Sequence, residues 1–202
     1  MAKVYECIDA KLASFIEAQP LFFVGTAPLA GDGLVNVSPK GTRGTFKVLD
    51  AHTFAYLDLT GSGVETVAHL RENGRICVMF CAFDGGPNIV RLHGTGRIVF
   101  REDPGFEDAI AAFGEAGATR RPQARAVILV DVTRVSDSCG YAVPKMAFAE
   151  ERDVLDSWSR SWRRGTRRAC PGHGCATRSP ARRAPPRTPS SARRSRTNRR
   201  RA

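Results

Sequence analysis

The residues with the clearest chemical use lie between Asp58 and Phe80, DLTGSGVETVAHLRENGRICVMF, where a strand-like run breaks at Thr60-Gly61-Ser62-Gly63 and an amphipathic helix follows. Glycine lets a backbone approach a ligand closely, and the hydroxyls of Thr60 and Ser62 can donate to anionic oxygens. A helix start adds unpaired N–H groups at the positive end of its dipole. Together these make a phosphate cradle. The same residues also read as a helix cap, with Ser62 at the N-cap and Glu65 closing a capping box three residues on.

A second candidate is VNVSPKG, Val35 to Gly41. Strand alternation puts Asn36 and Ser38 on one face, with Lys40 just past the strand end. Serine, asparagine and lysine converging in this way suit a phosphate or an isoalloxazine edge, and they equally suit the exposed side of an edge strand. Spacing alone does not separate these readings.

Other reactive residues point to structure. Cys77 and Cys81 stand four apart on a strand, roughly 13 Å from one another, too far for one metal or a disulfide, so both read as core. Cys170-Pro-Gly-His173-Gly-Cys175 has the form of half a zinc site but lacks a fourth ligand, and no metal site is assigned. His69 and His93 read as solvated or structural, and Trp158 and Trp162 as packing for a last helix.

The elements that must position these groups follow from the apolar pattern. Ile8, Leu12, Phe15 and Ile16 mark a helix over Tyr5 to Glu17 that Pro20 ends. LFFVGT (Leu21 to Thr26) and LVNVS (Leu34 to Ser38) read as a hairpin, with Gly31-Asp32-Gly33 supplying positive-φ turn residues. Further strands are expected at Thr53 to Leu59, Arg75 to Phe83, Ile89 to Arg101 and Arg125 to Val135, with short helices at Val64 to Glu72 and Pro104 to Glu115. DGGPN, Asp84 to Asn88, reads as a hairpin turn, and Gly94 and Gly96 as a bulge in the longest strand. Hairpin-linked strands with few short helices favour a mainly β, α+β architecture, a closed or split antiparallel barrel, over a doubly wound parallel sheet.

Charge divides the chain. Residues 1–162 carry 17 basic against 20 acidic side chains, whereas residues 163–202 hold 14 arginines and no acid, so the overall +11 belongs to the tail. The domain is therefore expected at 1–162, followed by a disordered Arg/Pro-rich tail that cannot bury enough surface to offset its entropy. One reading of the tail is a nucleic-acid-binding arm. The other is a frameshift product: arginine, proline, alanine, glycine and serine are what GC-rich codons yield in any frame, and the change after Trp162 is abrupt. No apolar run approaches a membrane span, MAKVYECIDAKL lacks a secretory core, and the cysteines are scattered, so a cytoplasmic location with reduced thiols is expected.

VNVSPKG, TFAYLDLTGSGVETVAHLRENGRICVMFCAF and NIVRLHGTGRIV in this order resemble the pyridoxamine 5′-phosphate oxidase-related family of FMN-binding split barrels over about Leu21 to Phe100. The resemblance implies a homodimer holding FMN at its interface. It places Asn36, Ser38 and Lys40 on one side of the cofactor and Leu59, Thr60, Gly61, Ser62, Glu65 and Thr66 on the other. Where the oxidase loop has an Arg-Lys pair after its serine, this chain has Gly63, Val64 and Glu65. The oxidase's substrate-gripping Arg-x-His falls near Asp153-Val154-Leu155-Asp156, which contains neither residue, and acidic side chains there would repel a phosphorylated substrate.

The expected function is an FMN-dependent oxidoreductase acting on a small organic substrate, with no catalytic residue named. A genuine pyridoxamine 5′-phosphate oxidase is the alternative enzyme, and a deazaflavin or haem the alternative cofactor. The rivals from other classes are a non-catalytic flavin-binding protein and a nucleic-acid-binding protein acting through the tail.

Overall fold

The computed structural model describes residues 3–61, 63–155 and 157, all within the first of two units, Met1–Thr166 and Arg167–Ala202. The expectations for Ser62, Asp156, Trp158 and Trp162, and those for the arginine-rich tail with Cys170, His173 and Cys175, lie outside the described residues.

The chain begins with β1 (Lys3–Tyr5), α1 (Ala10–Ala18), β2 (Leu21–Thr26), β3 (Asn36–Gly41), β4 (Phe46–Asp50) and β5 (Thr53–Leu59). It continues through α2 (Glu65–Asn73), β6 (Arg75–Cys81), β7 (Ile89–Phe100), α3 (Phe106–Ala111), α4 (Gly114–Arg120) and β8 (Ala124–Ser138). Every strand pairing is antiparallel, in the order β3-β2-β6-β7-β8-β5-β4, with β1 added to β8. β8 is the spine of the sheet. One of its edges carries β7, and the other is shared between β5 on Ala124–Asp131 and β1 on Val135–Asp137.

The sheet is strongly curled. β3 and β5 are five strand steps apart along it, about 24 Å if it were flat, yet Lys40 Nζ lies 3.5 Å from Asp58 Oδ1. Aromatic rings fill the hollow: Phe22, Phe46, Phe54, Tyr56 and Phe80 stack or meet edge to face, with the Phe22 and Phe46 centroids 4.9 Å apart. Such contacts add to the burial of large apolar area that drives the closure. No β3–β4 pairing occurs among the described residues, so the barrel is split. On the other face of β5 and β8, Ala55, Leu57, Val127 and Leu129 pack under Phe106, Ile110 and Phe113 of the α3–α4 region.

Several boundaries depart from the pattern in the sequence for local reasons. α1 starts at Ala10, because Asp9 Oδ1 accepts from Leu12 N at 2.8 Å and caps it, leaving Tyr5 to β1. The single helix expected at Pro104 to Glu115 is two, broken where Gly114 takes φ +56°. β1 and the short β4 have no counterpart in the expected elements. Neither Gly31 nor Gly33 has positive φ; a nine-residue connection, not a tight turn, joins β2 to β3. The bulge in β7 is where the glycines suggested it. The β7–β8 register shifts between His93 and Gly94, and a Cβ on Gly94 would lie 2.0 Å from the Asp131 carbonyl oxygen.

Candidate functional site

The two sequence segments singled out for anion binding come together at one end of the hollow. Along β3, Asn36, Ser38 and Lys40 share the half-buried face while Val37 and Pro39 are exposed, as strand alternation requires. Asn36 Nδ2 donates to Thr66 Oγ1 on α2 at 3.1 Å and to Thr26 Oγ1 on β2 at 3.3 Å. Ser38 Oγ donates to Asn36 Oδ1 at 3.1 Å. Thr26 Oγ1 also lies 3.0 Å from His69 Nδ1, in a hydrogen bond whose donor depends on the imidazole tautomer. His69 is thus part of a hydrogen-bonded chain and not a solvated side chain. Thr26 and Thr66 are both buried, so these bonds also satisfy hydroxyls that water does not reach.

The second half of the site is ionic. Asp58, at the end of β5, has a side chain only 2% exposed and lies between two cations. Arg125 from β8 donates through Nε at 2.8 Å and places Nη2 2.6 Å from Oδ2; Lys40 approaches Oδ1 at 3.5 Å. Arg125 Nη2 also donates to the Gly63 carbonyl at 3.0 Å. The loop after β5 is therefore held at both ends by the start of β8, since Thr60 N donates to the Gln123 carbonyl at 2.9 Å.

The N-cap residue of α2, Val64, supplies no side-chain cap hydrogen bond, so Glu65 begins the helix instead of closing a capping box. The capping-box reading is corrected on that point: the helix starts two residues later than a Ser62 cap requires, and the residue at its N-cap, Val64, has a side chain that cannot accept. The first turn of α2 begins beside the exposed Gly61, Gly63 and Glu65. Leu59 and Thr60 are half-buried at the base of the loop.

Arg125 and Asp58 were missed as site residues. Nothing local marks them; 67 positions separate the two, and only the β5–β8 pairing brings them together. Cys77 and Cys81 are free thiols, half-buried and buried, with pKa values pushed up mainly by burial, which suits packing and not nucleophilic chemistry. No group of three or more potential metal ligands occurs among the described residues.

Residues 8–139 match the sequence model of the pyridoxamine 5′-phosphate oxidase family. The chain belongs to that family. A pyridoxamine 5′-phosphate oxidase family protein, ustO, from Aspergillus flavus is 45% identical over 141 residues, covering 69% of this chain. The chain matches only 55% of that relative's length. Among solved structures, HupZ from Group A Streptococcus shares the fold, at TM-score 0.51 and 23% identity over 65% of this chain and 99% of HupZ. A second HupZ structure aligns at TM-score 0.50 over 63% of this chain and 91% of that one.

The pyridoxamine 5′-phosphate oxidase match ends at residue 139, and the residues that follow arch back toward the β3–β4 turn. Met146 N donates to the Phe83 carbonyl at 2.8 Å, the Phe148 ring lies 4.9 Å from the Arg43 guanidinium, and Glu151 accepts from Arg43 N at 3.0 Å. This brings the carboxylate of Glu151 to the turn three residues beyond Lys40. No helix among the described residues is long and apolar enough to cross a membrane.

Proposed function

We propose that this chain is an FMN-dependent oxidoreductase acting on a small organic substrate, with the flavin phosphate at the β5–α2 loop and the ring along the β3 face. The observation that carries the reading is that Asn36, to which Ser38 is bonded, meets Thr66 while Lys40 meets Asp58, at either end of a glycine-containing loop that opens α2. The donor set fits a phosphate: an ammonium, a guanidinium, the Thr60 hydroxyl and the N–H groups of a helix start, with the exposed Gly61 in the same loop. Gly61 has an ordinary φ, and a Cβ there would come no nearer than 3.9 Å, to the Leu59 carbonyl oxygen. A ligand resting on that backbone gives a glycine there a purpose.

When bound, FMN would supply the hydride or electron transfer. The residues of this chain bind, orient and exclude water. Lys40 faces the anionic end, Asn36 and Ser38 present fixed amide and hydroxyl edges, and the Thr26–His69 bond locks the amide of Asn36 from behind. The Glu151 carboxylate at this turn, together with the lack of an Arg-x-His pair at Asp153 to Asp156, disfavours a phosphorylated substrate, and with it a genuine pyridoxamine 5′-phosphate oxidase activity. The homodimer belongs to this reading. Leu34 and Val35, just before β3, and Val37 within it are 85%, 71% and 65% exposed, an apolar stretch beside the site residues that a second copy would cover.

The test is the visible absorption of protein purified without added flavin, with mass identification of whatever heat releases. Flavin absorption, release of FMN and sedimentation as a dimer are expected. A colourless protein that also takes up no added FMN would refute the reading. A flavin-loaded protein that neither NAD(P)H nor oxygen cycles would make it a flavin-binding protein without turnover.

A further inference from the structure

We propose that Arg125, delivered from the first residues of β8, is the principal cation for the flavin phosphate, with Lys40 as its partner and Asp58 as the positioning residue that holds both. This rests on the flavin reading above and deepens it.

The loop and helix start provide no cation of their own. From Leu59 to Thr66 the one charged residue is Glu65, which is negative and exposed. A phosphate monoester carries close to two negative charges at neutral pH, so the compensating charge must come from elsewhere in the fold. Arg125 and Lys40 are the cations that the fold brings to the loop. Their side chains are only 22% and 25% exposed, and both end on the one Asp58 carboxylate. Asp58 neutralises one of the two cations, so the Lys40–Asp58–Arg125 cluster itself keeps a net positive charge; Glu65, the carboxylate at the helix start, is exposed and screened by water.

The orientation is also specific. Arg125 uses Nε and Nη2 on Asp58 and the Gly63 carbonyl, which fixes the guanidinium plane against the loop. Among the described residues its Nη1 makes no hydrogen bond, and Lys40 Nζ makes one, to Asp58. Donors held in place by a nearly dry carboxylate, with hydrogen-bonding capacity left over, are arranged for an oxyanion at low reorganisation cost. Arg125 thus supplies from a distant strand the charge that the loop itself lacks.

The test compares FMN with riboflavin, which differ only in the phosphate, by fluorescence titration of flavin-free full-length protein, Arg125→Gln and Arg125→Lys. The wild type is expected to prefer FMN. Arg125→Gln should lose about ten- to a hundredfold in FMN affinity, the worth of hydrogen bonds to a charged group, while its riboflavin affinity stays within about twofold. Arg125→Lys keeps a cation for Asp58 without the fork and should fall between the two. If Arg125→Gln does not fold, the FMN-to-riboflavin ratio of Arg125→Lys decides. A wild-type protein that prefers FMN, with the same ratio in the variants, overturns the role of Arg125 and leaves the flavin reading standing. A wild-type protein that binds neither flavin overturns both.

Discussion

Replacing Asp58 by asparagine keeps the shape of the side chain and removes its charge, leaving Arg125 and Lys40 facing each other across a neutral amide. Breaking a buried ion pair by removing one partner costs about 3–5 kcal/mol, because the remaining charge is left without compensation. Both cations retain roughly a quarter of their side-chain exposure, so water reaches them and the lower end applies, about 3 kcal/mol. For a domain of this size each kcal/mol moves the melting temperature by about 2–4 °C, which gives a fall of about 6–12 °C. The assay is thermal unfolding of the flavin-free protein followed by circular dichroism, with Glu107→Gln as the control. Glu107 and Arg121 also form an ion pair, but an exposed one, and no measurable shift is expected from breaking it. Adding Arg125→Gln to Asp58→Asn should recover part of the loss, since one of the stranded charges is gone. An Asp58→Asn protein that melts within about 2 °C of the wild type would show that the carboxylate is not held between the two cations, and the positioning argument would fail with it.

Three further outcomes are expected. Gly61→Ala should leave the melting temperature unchanged, because its Cβ meets only ordinary contacts, and should weaken FMN binding about tenfold where ligand and backbone meet; unchanged affinity would move the ligand off this loop. Tyr56 is buried, its hydroxyl makes no hydrogen bond among the described residues, and burial drives its pKa far up. Tyr56→Phe should therefore be neutral or stabilising by up to about 1 kcal/mol in urea unfolding, and a clear loss would reveal a partner for the hydroxyl. Burial, then Arg134 and Arg91, lower the pKa of His93. The folded state thus binds the imidazole proton less well than the unfolded chain, whose histidine titrates near pH ~6.5. The contribution of His93 is intact above that pH and is lost as pH falls toward its lower folded value. His93→Gln should flatten the decline of melting temperature between about pH 7 and pH 5, and superimposable curves for variant and wild type would exclude it.

Much of the architecture could be read from residue order because burial is periodic. β2 and β5 have the boundaries that their apolar runs mark, and β6 and β7 lie within two residues of theirs, since strands buried on one or both faces leave alternating or continuous apolar signatures. β1 and β4 escaped because three- and five-residue strands carry too few positions to show a period. The local readings that failed, the positive-φ turn at Gly31 to Gly33 and the capping box at Ser62 and Glu65, asked short motifs to define geometry that the packing of α2 and the length of the β2–β3 connection define instead.

The candidate site divides along the same line. Asn36, Ser38, Lys40 and the Thr60 to Thr66 loop could be named from sequence because each group is contiguous and its faces follow from strand or helix periodicity. The Asn36–Thr66 and Asn36–Thr26–His69 bonds, and the placing of Asp58 between Lys40 and Arg125, could not. They join strands that are far apart in the chain or at opposite ends of the sheet, and they exist only because the aromatic core rolls that sheet until its two ends meet. Sequence determined which side chains face inward on each strand. The curvature of the sheet decided which of them touch, because a contact across the hollow depends on the summed twist and register of every strand between.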